Sequence, residues 1–191
     1  MKKGLLIILS GPSGVGKNCV RQEIMNSGKL ELTYSISMTT REKREKEVDG
    51  VDYYFVSEEE FQKNIEAGNF LEWAYFVGHH YGTPKDKVEK LRDEGKNVFL
   101  EIEINGANQV MSKMKDDRVI SFFLMPPNIA ALEKRIRKRQ TETEDIIQER
   151  LQKGMKEMTM TENYDYVIIN DKVSRAAQEI IDIIKAKLKK K

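Results

Sequence analysis

A single cysteine, Cys19, stands in 191 residues, which excludes an intramolecular disulfide and a zinc site built from several thiolates. The two histidines, His79 and His80, adjoin one another with no carboxylate at ligand spacing, so they read as turn residues rather than as a metal centre. No apolar run approaches the ~20 residues that cross a bilayer, and no membrane partner is expected. Met1-Lys2-Lys3 carries the charges of a signal peptide, but the apolar run behind it, Leu5–Leu9, is short and leads straight into a glycine-rich loop. A cytoplasmic protein is therefore expected. An excess of either charge is also missing: 33 basic against 31 acidic residues leave +2, which argues against a general polyanion binder and a nucleic-acid partner. Charged residues make up 34% of the chain and alternate in sign, as on solvated helix faces. Repeats and low-complexity segments are absent, and the length suits one domain with inserted segments.

What is present begins with Gly11-Pro12-Ser13-Gly14-Val15-Gly16-Lys17, directly after the apolar run. A strand that passes through G-x-x-x-x-G-K into a helix forms a P-loop, whose backbone N–H groups cradle phosphate oxygens. The glycines permit the tight turn, the helix N-terminus adds partial positive charge, and Lys17 supplies a point charge near the β- and γ-phosphates. After the lysine, where a Ser or Thr hydroxyl normally meets Mg²⁺, the chain has Asn18 and then Cys19. The side-chain carbonyl of Asn18 is a candidate metal ligand in its place. Cys19 reads as a small buried helix residue.

Strand patterns follow at 32–37, 51–56, 70–77, 98–104, 119–124 and 166–169, alternating with helical ones. Ser57-Glu58-Glu59-Glu60 and Thr141 to Glu144 are capping boxes, and Thr83 with Pro84 opens a further helix. Ile147, Leu151, Met155 and Met158 are expected on one buried helix face, and residues 51–82 as a small antiparallel unit. The alternation predicts a mostly parallel sheet covered on both faces, with ligands at the carboxyl ends of its strands. That rim gathers the P-loop, Ser37, Glu101, Glu103 and Asn170.

Basic residues fall into three sets: Lys17; Arg41 with Arg44; and Arg135, Arg139 and Arg150. Phosphoryl transfer needs positioning and charge neutralisation, and three sets suit a donor triphosphate, a phosphorylated acceptor and a closing segment. An exposed loop pair is the alternative for Arg41 and Arg44, and a solvated helix face for residues 134–139. Glu101 and Glu103 share a strand face by period-two alternation, and carboxylates on a buried strand should be paired or near a metal. Glu72, between Leu71 and Trp73, can accept hydrogen bonds from a nucleobase's ring N–H and amino group, as guanine presents.

Together with Ser-Ile-Ser-Met-Thr-Thr-Arg-Glu-Lys-Arg at 35–44, Glu-Val-Asp-Gly-Val-Asp-Tyr-Tyr-Phe at 47–55, Phe-Leu-Glu-Trp-Ala at 70–74, Tyr-Gly-Thr-Pro at 81–84 and Asn-Asp at 170–171, these residues resemble the guanylate kinase family along nearly the whole chain. The resemblance implies an α/β, P-loop NTPase-like fold with a mostly parallel five-stranded sheet. It implies a core of 1–36, 88–127 and 156–191, a GMP-binding insert at 37–87 and a helical lid at 128–155. The implied reaction is ATP + GMP to ADP + GDP, with Mg²⁺ as cofactor, ATP and GMP as partners, and a monomer or homodimer as the assembly.

By the same resemblance, Gly11 to Cys19 with Asn170 and Asp171 contact ATP. Arg41, Arg44, Tyr53 and Tyr81 hold the GMP phosphate, while Ser37, Glu72 and Thr83 read guanine. Glu101 and Glu103 serve the metal and GMP sides, Glu101 through water. Lys17, Arg41, Arg135, Arg139 and Arg150 carry the catalysis. The family's usual Gly-Thr or Ser-Thr after the lysine is Asn18-Cys19 here, and its lid sequence Arg-Gly-Thr-Glu is Arg139-Gln140-Thr141-Glu142. The first departure leaves a second reading, a catalytically weak or inactive binding module that uses the acceptor phosphate site.

Overall fold

A computed structural model describes residues 2–76, 78–138 and 143–189. The first strand, β1 (Leu6–Ser10), is buried at every position. A strand with no polar face needs neighbours on both edges and cover on both sides, which puts it inside a sheet. It is the central strand of a mostly parallel five-stranded sheet, in the order β2 (Leu32–Tyr34), β7 (Asn97–Glu101), β1, β8 (Val119–Met125), β9 (Tyr166–Ile169). A second sheet has the order β4 (Tyr54–Phe55), β3 (Met38–Thr39), β6 (His79–Pro84), β5 (Phe70–Phe76). It is antiparallel except for the parallel β3–β4 pair. Among the described residues the helices are α1 (Lys17–Asn26), α2 (Glu58–Glu66), α3 (Lys85–Asp93), α4 (Ile104–Lys113), α5 (Ile129–Arg137), α6 (Glu144–Glu157) and α7 (Val173–Lys189).

The chain forms two compact units, one of Met1–Leu6, Thr33–Leu100 and Asn105–Val119, the other of Ile7–Leu32, Glu101–Ile104 and Ile120–Lys191. In the first, Phe61, Phe70, Val88, Val98, Phe99 and Val110 are buried, with Phe61 and Phe70 stacked at 4.5 Å. α2 begins where its capping box predicts: Ser57 Oγ accepts from the Glu60 amide at 3.1 Å. Strand 51–56 shortens to Tyr54–Phe55 because its partner β3 is only two residues long.

The two histidines are not turn residues. Gly78, at φ 82°, makes the reversal, so His79 and His80 enter β6 opposite Phe76 and Tyr75. The His80 ring stacks on Phe61 at 5.2 Å, and its Nδ1 lies 2.8 Å from Glu58 Oε2. Thr83 does not cap α3, whose N-cap position is Pro84. Its hydroxyl is committed elsewhere, as described below.

In the second unit, α1 buries Val20 and Ile24, and α7 buries Ala176, Ala177, Ile180, Ile181 and Ile184 at helical spacing. α7 packs on α1 and β9, and α5 packs on α6. Asn128 Oδ1 caps α5 through the Ala131 amide at 2.8 Å. Leu132 and Ile136 of α5 and Ile147 of α6 form a local core joined by Leu151 and Met158. The expected Met155 is exposed; Gly154 takes its place on that face, in keeping with a 147, 151, 154, 158 spacing. A Cβ at Gly154 would come within 2.8 Å of Leu132 Cδ2, so the glycine permits the helix contact. The second capping box begins in residues outside the described ones.

Sequence reading also gives no sign of Arg92, which is fully buried in the first unit. Its Nε donates to the Gly4 carbonyl at 3.1 Å, and its guanidinium nitrogens reach Glu89 at 3.2 Å and Asp116 at 2.9 Å. Glu89 and Asp116 keep part of their surface in water, so losing the buried guanidinium removes its hydrogen bonds and packing without stranding two buried charges. Arg92→Ala is therefore expected to destabilise the fold by about 2 kcal/mol in guanidinium unfolding. A loss below about 1 kcal/mol would show that water can replace the side chain.

Candidate active site

The P-loop follows β1 in the second unit. Gly11 adopts φ 147°, and a Cβ there would lie 2.3 Å from the Leu124 carbonyl oxygen, so the turn admits no side chain. Gly16, at φ 99°, is the N-cap of α1, and a Cβ there would meet Asn170 Nδ2 at 2.9 Å. A Cβ on Gly14 would press on Ile136 Cγ1 of α5 at 2.9 Å. Lys17 Nζ donates to the carbonyls of Gly11 at 2.6 Å and Pro12 at 3.2 Å, and lies 3.7 Å from Glu103 Oε1. The Val15 amide also returns to the Pro12 carbonyl.

Arginines of α5 and α6 reach this loop. Arg135 donates to the Val15 carbonyl at 2.9 Å and to the Asn170 carbonyl at 2.6 Å. Asn170 Nδ2 reaches the same Val15 carbonyl at 2.8 Å, while its Oδ1 is buried without a hydrogen-bond partner among the described residues. Arg150 donates to Ser13 Oγ at 2.9 Å. Asp171 accepts from the Lys172 amide and from Arg175, both at 2.6 Å, and so serves the start of α7. Arg139 lies outside the described residues.

Two expectations are corrected. β7 ends at Glu101, so Glu101 and Glu103 do not share a strand face: Glu103 is exposed beyond the strand, and Glu101 Oε2 accepts from Arg21 Nε at 2.7 Å. Cys19 is exposed, because the buried positions of α1 are Val20 and Ile24. Asn18 Oδ1 accepts from Arg21 at 2.5 Å, so Arg21 links the two candidate metal-side residues. Among the described residues no three His, Cys, Asp or Glu side chains group as a metal cage.

The acceptor candidates lie in the first unit, on its four-stranded sheet. Register pairs Glu72 with Thr83, Ala74 with Tyr81, Thr39 with Tyr81, and Thr39 with Phe55. Side chains alternate along a strand, so Thr39, Glu72, Tyr81 and Thr83 share a face, and Arg41 and Tyr53, just outside the short strands, join it through their contacts. Contacts agree with that pattern: Arg41 lies over the rings of Tyr53 and Phe55 at 5.6 and 5.7 Å, and Tyr53 meets Tyr81 edge-on at 6.1 Å. Arg41 donates to Glu47 Oε1 at 2.7 Å, and Glu47 Oε2 accepts from the Arg44 amide at 2.9 Å. This pairing, first with Arg41 and then with the Arg44 amide, holds the Glu47 carboxyl below the ordinary carboxylate range.

Glu72 is 7% exposed, and Thr83 Oγ1 donates to its Oε1 at 2.5 Å. Burial raises its pKa; the Thr83 hydroxyl and the charge of Lys113 oppose that rise without cancelling it. A buried carboxylate that retains accessible acceptor capacity can read paired N–H donors on a ligand.

A family model described as guanylate kinase matches residues 3–187. The chain belongs to the guanylate kinase family. A guanylate kinase of Enterococcus faecalis is 53% identical over 183 residues, covering 96% of this chain and 89% of the relative. One of Mycoplasma capricolum is 51% identical over 184 residues, covering 96% of this chain and 61% of that longer relative. A crystal structure of guanylate kinase from Anaplasma phagocytophilum superposes with TM-score 0.76 at 33% identity, covering 99% of this chain and 88% of that one.

For this guanylate kinase family member, sequence reading missed the parts played by two carboxylates. Glu47 bridges Arg41 and Arg44, and Glu157 Oε2 accepts from the Ser13 amide at 3.3 Å, where a phosphate oxygen would sit in a P-loop. Both lie in charged runs whose spacing carried no signal.

The raised pKa of Glu72 has a definite consequence for stability. The folded protein binds this proton more readily than the unfolded chain, so Glu72 lowers stability at neutral pH, and that penalty begins to shrink as pH falls through its raised pKa and is gone below the ordinary carboxylate range. Glu72→Gln is expected to raise the thermal midpoint at neutral pH. That advantage should shrink on acidification toward the ordinary carboxylate range; a gain that grows as pH falls would contradict the burial argument.

Proposed function

We propose that the protein transfers the γ-phosphoryl group of ATP to GMP, giving ADP and GDP. One observation carries the reading: a buried carboxylate, Glu72, shares a sheet face with Arg41, Tyr53 and Tyr81. A base-reading acid and a phosphate-gripping set on one surface suit a nucleoside monophosphate, and guanine offers the ring N–H and amino group that Glu72 can accept. The P-loop with Lys17 then takes the donor triphosphate.

In the proposed reaction a phosphate oxygen of GMP attacks the γ-phosphorus in line and ADP leaves. Arg41, Arg44, Tyr53 and Tyr81 hold the attacking phosphate and offset its negative charge, with Glu47 giving up Arg41 as it binds. Thr83 holds one oxygen of Glu72, and Ser37 joins them in reading the base. Lys17 moves from the Gly11 and Pro12 carbonyls to the β- and γ-phosphates, and Arg135, Arg139 and Arg150 neutralise the charge of the transferring group. Asn170 Oδ1, buried and without a hydrogen-bond partner among the described residues, is an acceptor suited to adenine's exocyclic amine. Residues 37–87 act as the acceptor insert and 128–155 as the lid, whose closure excludes water and so hydrolysis.

Mg²⁺ enters on ATP and supplies charge neutralisation and phosphate orientation. It keeps several waters and needs only one or two carboxylates, so Glu103 would serve it, and Glu101, whose Oε2 is held by Arg21, would reach it only through water. Asn18 fits less well, its carbonyl oxygen being engaged by Arg21. The inactive-module reading rested on Asn18-Cys19 alone and is not favoured: the homologues are named as kinases, and Lys17 stays in place.

The test is acceptor choice. With ATP and Mg²⁺, GMP should be phosphorylated with kcat/KM at least about a hundredfold above AMP, UMP or dTMP, because a site built around hydrogen bonds penalises bases that leave them unmade. A preference for any of the other three would overturn the assignment.

A further inference from the structure

β5, which carries Glu72, is an edge strand of its sheet, with β6 on one side only. An edge strand presents unpaired N–H and C=O groups and is free to shift unless something covers them. Here α4 covers them, within the same unit. Gln109 Oε1 accepts from the Trp73 amide at 3.2 Å, and Gln109 Nε2 donates to the Trp73 carbonyl at 3.0 Å. Lys113 Nζ donates to the Leu71 carbonyl at 2.8 Å and the Phe70 carbonyl at 3.2 Å. The residues on either side of Glu72 are thus fixed through their backbones by two side chains.

Gly106 completes the arrangement. A Cβ there would lie 2.6 Å from Glu72 Oε2, 3.1 Å from its Cδ and 3.3 Å from its Cγ. Only a residue without a side chain lets α4 approach the carboxylate so closely. Positions 106, 109 and 113 fall on one helix face by their spacing of three and four. Each touches a different part of the same four-residue stretch, Phe70 to Trp73.

We infer that this face of α4 replaces the missing neighbouring strand and positions Glu72 for base discrimination. Gln109 and Lys113 are positioning residues, and Gly106 provides the space the carboxylate occupies. The inference rests on the reading of Glu72 as the group that recognises guanine. The physical reason is leverage: two hydrogen bonds to a base edge hold over a few tenths of an ångström, and an unpaired edge strand does not keep that tolerance. Lys113 also brings positive charge towards Glu72 without occupying its acceptor oxygens.

The experiment compares GMP with IMP, which keeps the phosphate and ribose but lacks the 2-amino group. Lys113→Met, Gln109→Leu and Gly106→Ala should each raise the KM for GMP by about tenfold, the worth of a well-placed hydrogen bond, with little change in kcat or in the KM for ATP. The GMP-to-IMP ratio of kcat/KM should fall alongside, and Lys113→Arg should restore it. A purely structural role would lower the melting midpoint and leave the ratio intact, which would overturn the inference. Three variants guard against one that does not fold. Glu72→Gln separates the two levels of the argument. If it leaves the ratio unchanged, the base-reading assignment fails. If it collapses the ratio while the α4 variants do not, only the positioning inference fails.

Discussion

Groups arranged to bind phosphate cannot be left without a counter-charge, and this constraint orders both units of the protein. In the first, Arg41 and the Arg44 amide converge on the Glu47 carboxylate. In the second, the Ser13 amide takes Glu157, while Lys17 turns onto two loop carbonyls beside Glu103. On the proposed reading each of these groups is held by a weaker internal partner that a phosphate, carrying more charge and more acceptor oxygens than a carboxylate, would displace. Binding would then be an exchange of ion pairs rather than the assembly of a site.

Specificity has a different physical basis. Glu72 is costly to keep buried, as the upward pull of burial on its pKa shows. Such a cost persists in a fold when the group has a task that hydrophobic packing does not perform. Thr83 holds one oxygen, and α4 presses Gly106 against the other. On the proposed reading, discrimination among bases rests on the shell around this single carboxylate, while affinity for phosphate rests on exchangeable charge.

Much of this was legible in the sequence because it depends on local patterns. The P-loop follows from five apolar residues and glycines at fixed offsets, the α/β alternation from periodicity, and the start of α2 from the Ser57 capping box. The misreadings share a cause in long-range pairing. His79 and His80 resembled a turn, yet the chain has already reversed by Gly78, at positive φ, and the pair joins β6. Met155 lost its place to Gly154 because Leu132, far away in sequence, needed the room. Glu101 and Glu103 looked alike until the strand ended between them. Of the candidate site, the residues of the shared motifs could be named, Glu47 among them, but not the pairing of Glu47 with Arg41, nor the parts played by Glu157, Arg21 and the α4 stripe. Their partners lie at distances along the chain that no spacing rule encodes.

The most direct measurement of the central claim is ADP release from ATP and Mg²⁺ with and without GMP, in the native protein and in Lys17→Ala. The account predicts GMP-dependent ADP formation with GDP as co-product, reduced by about a hundredfold or more in the variant, as removal of a charge that stabilises the transition state requires. Tight GMP binding with no turnover in the native protein would contradict it, and would mean that the acceptor site persists beside a P-loop that no longer works.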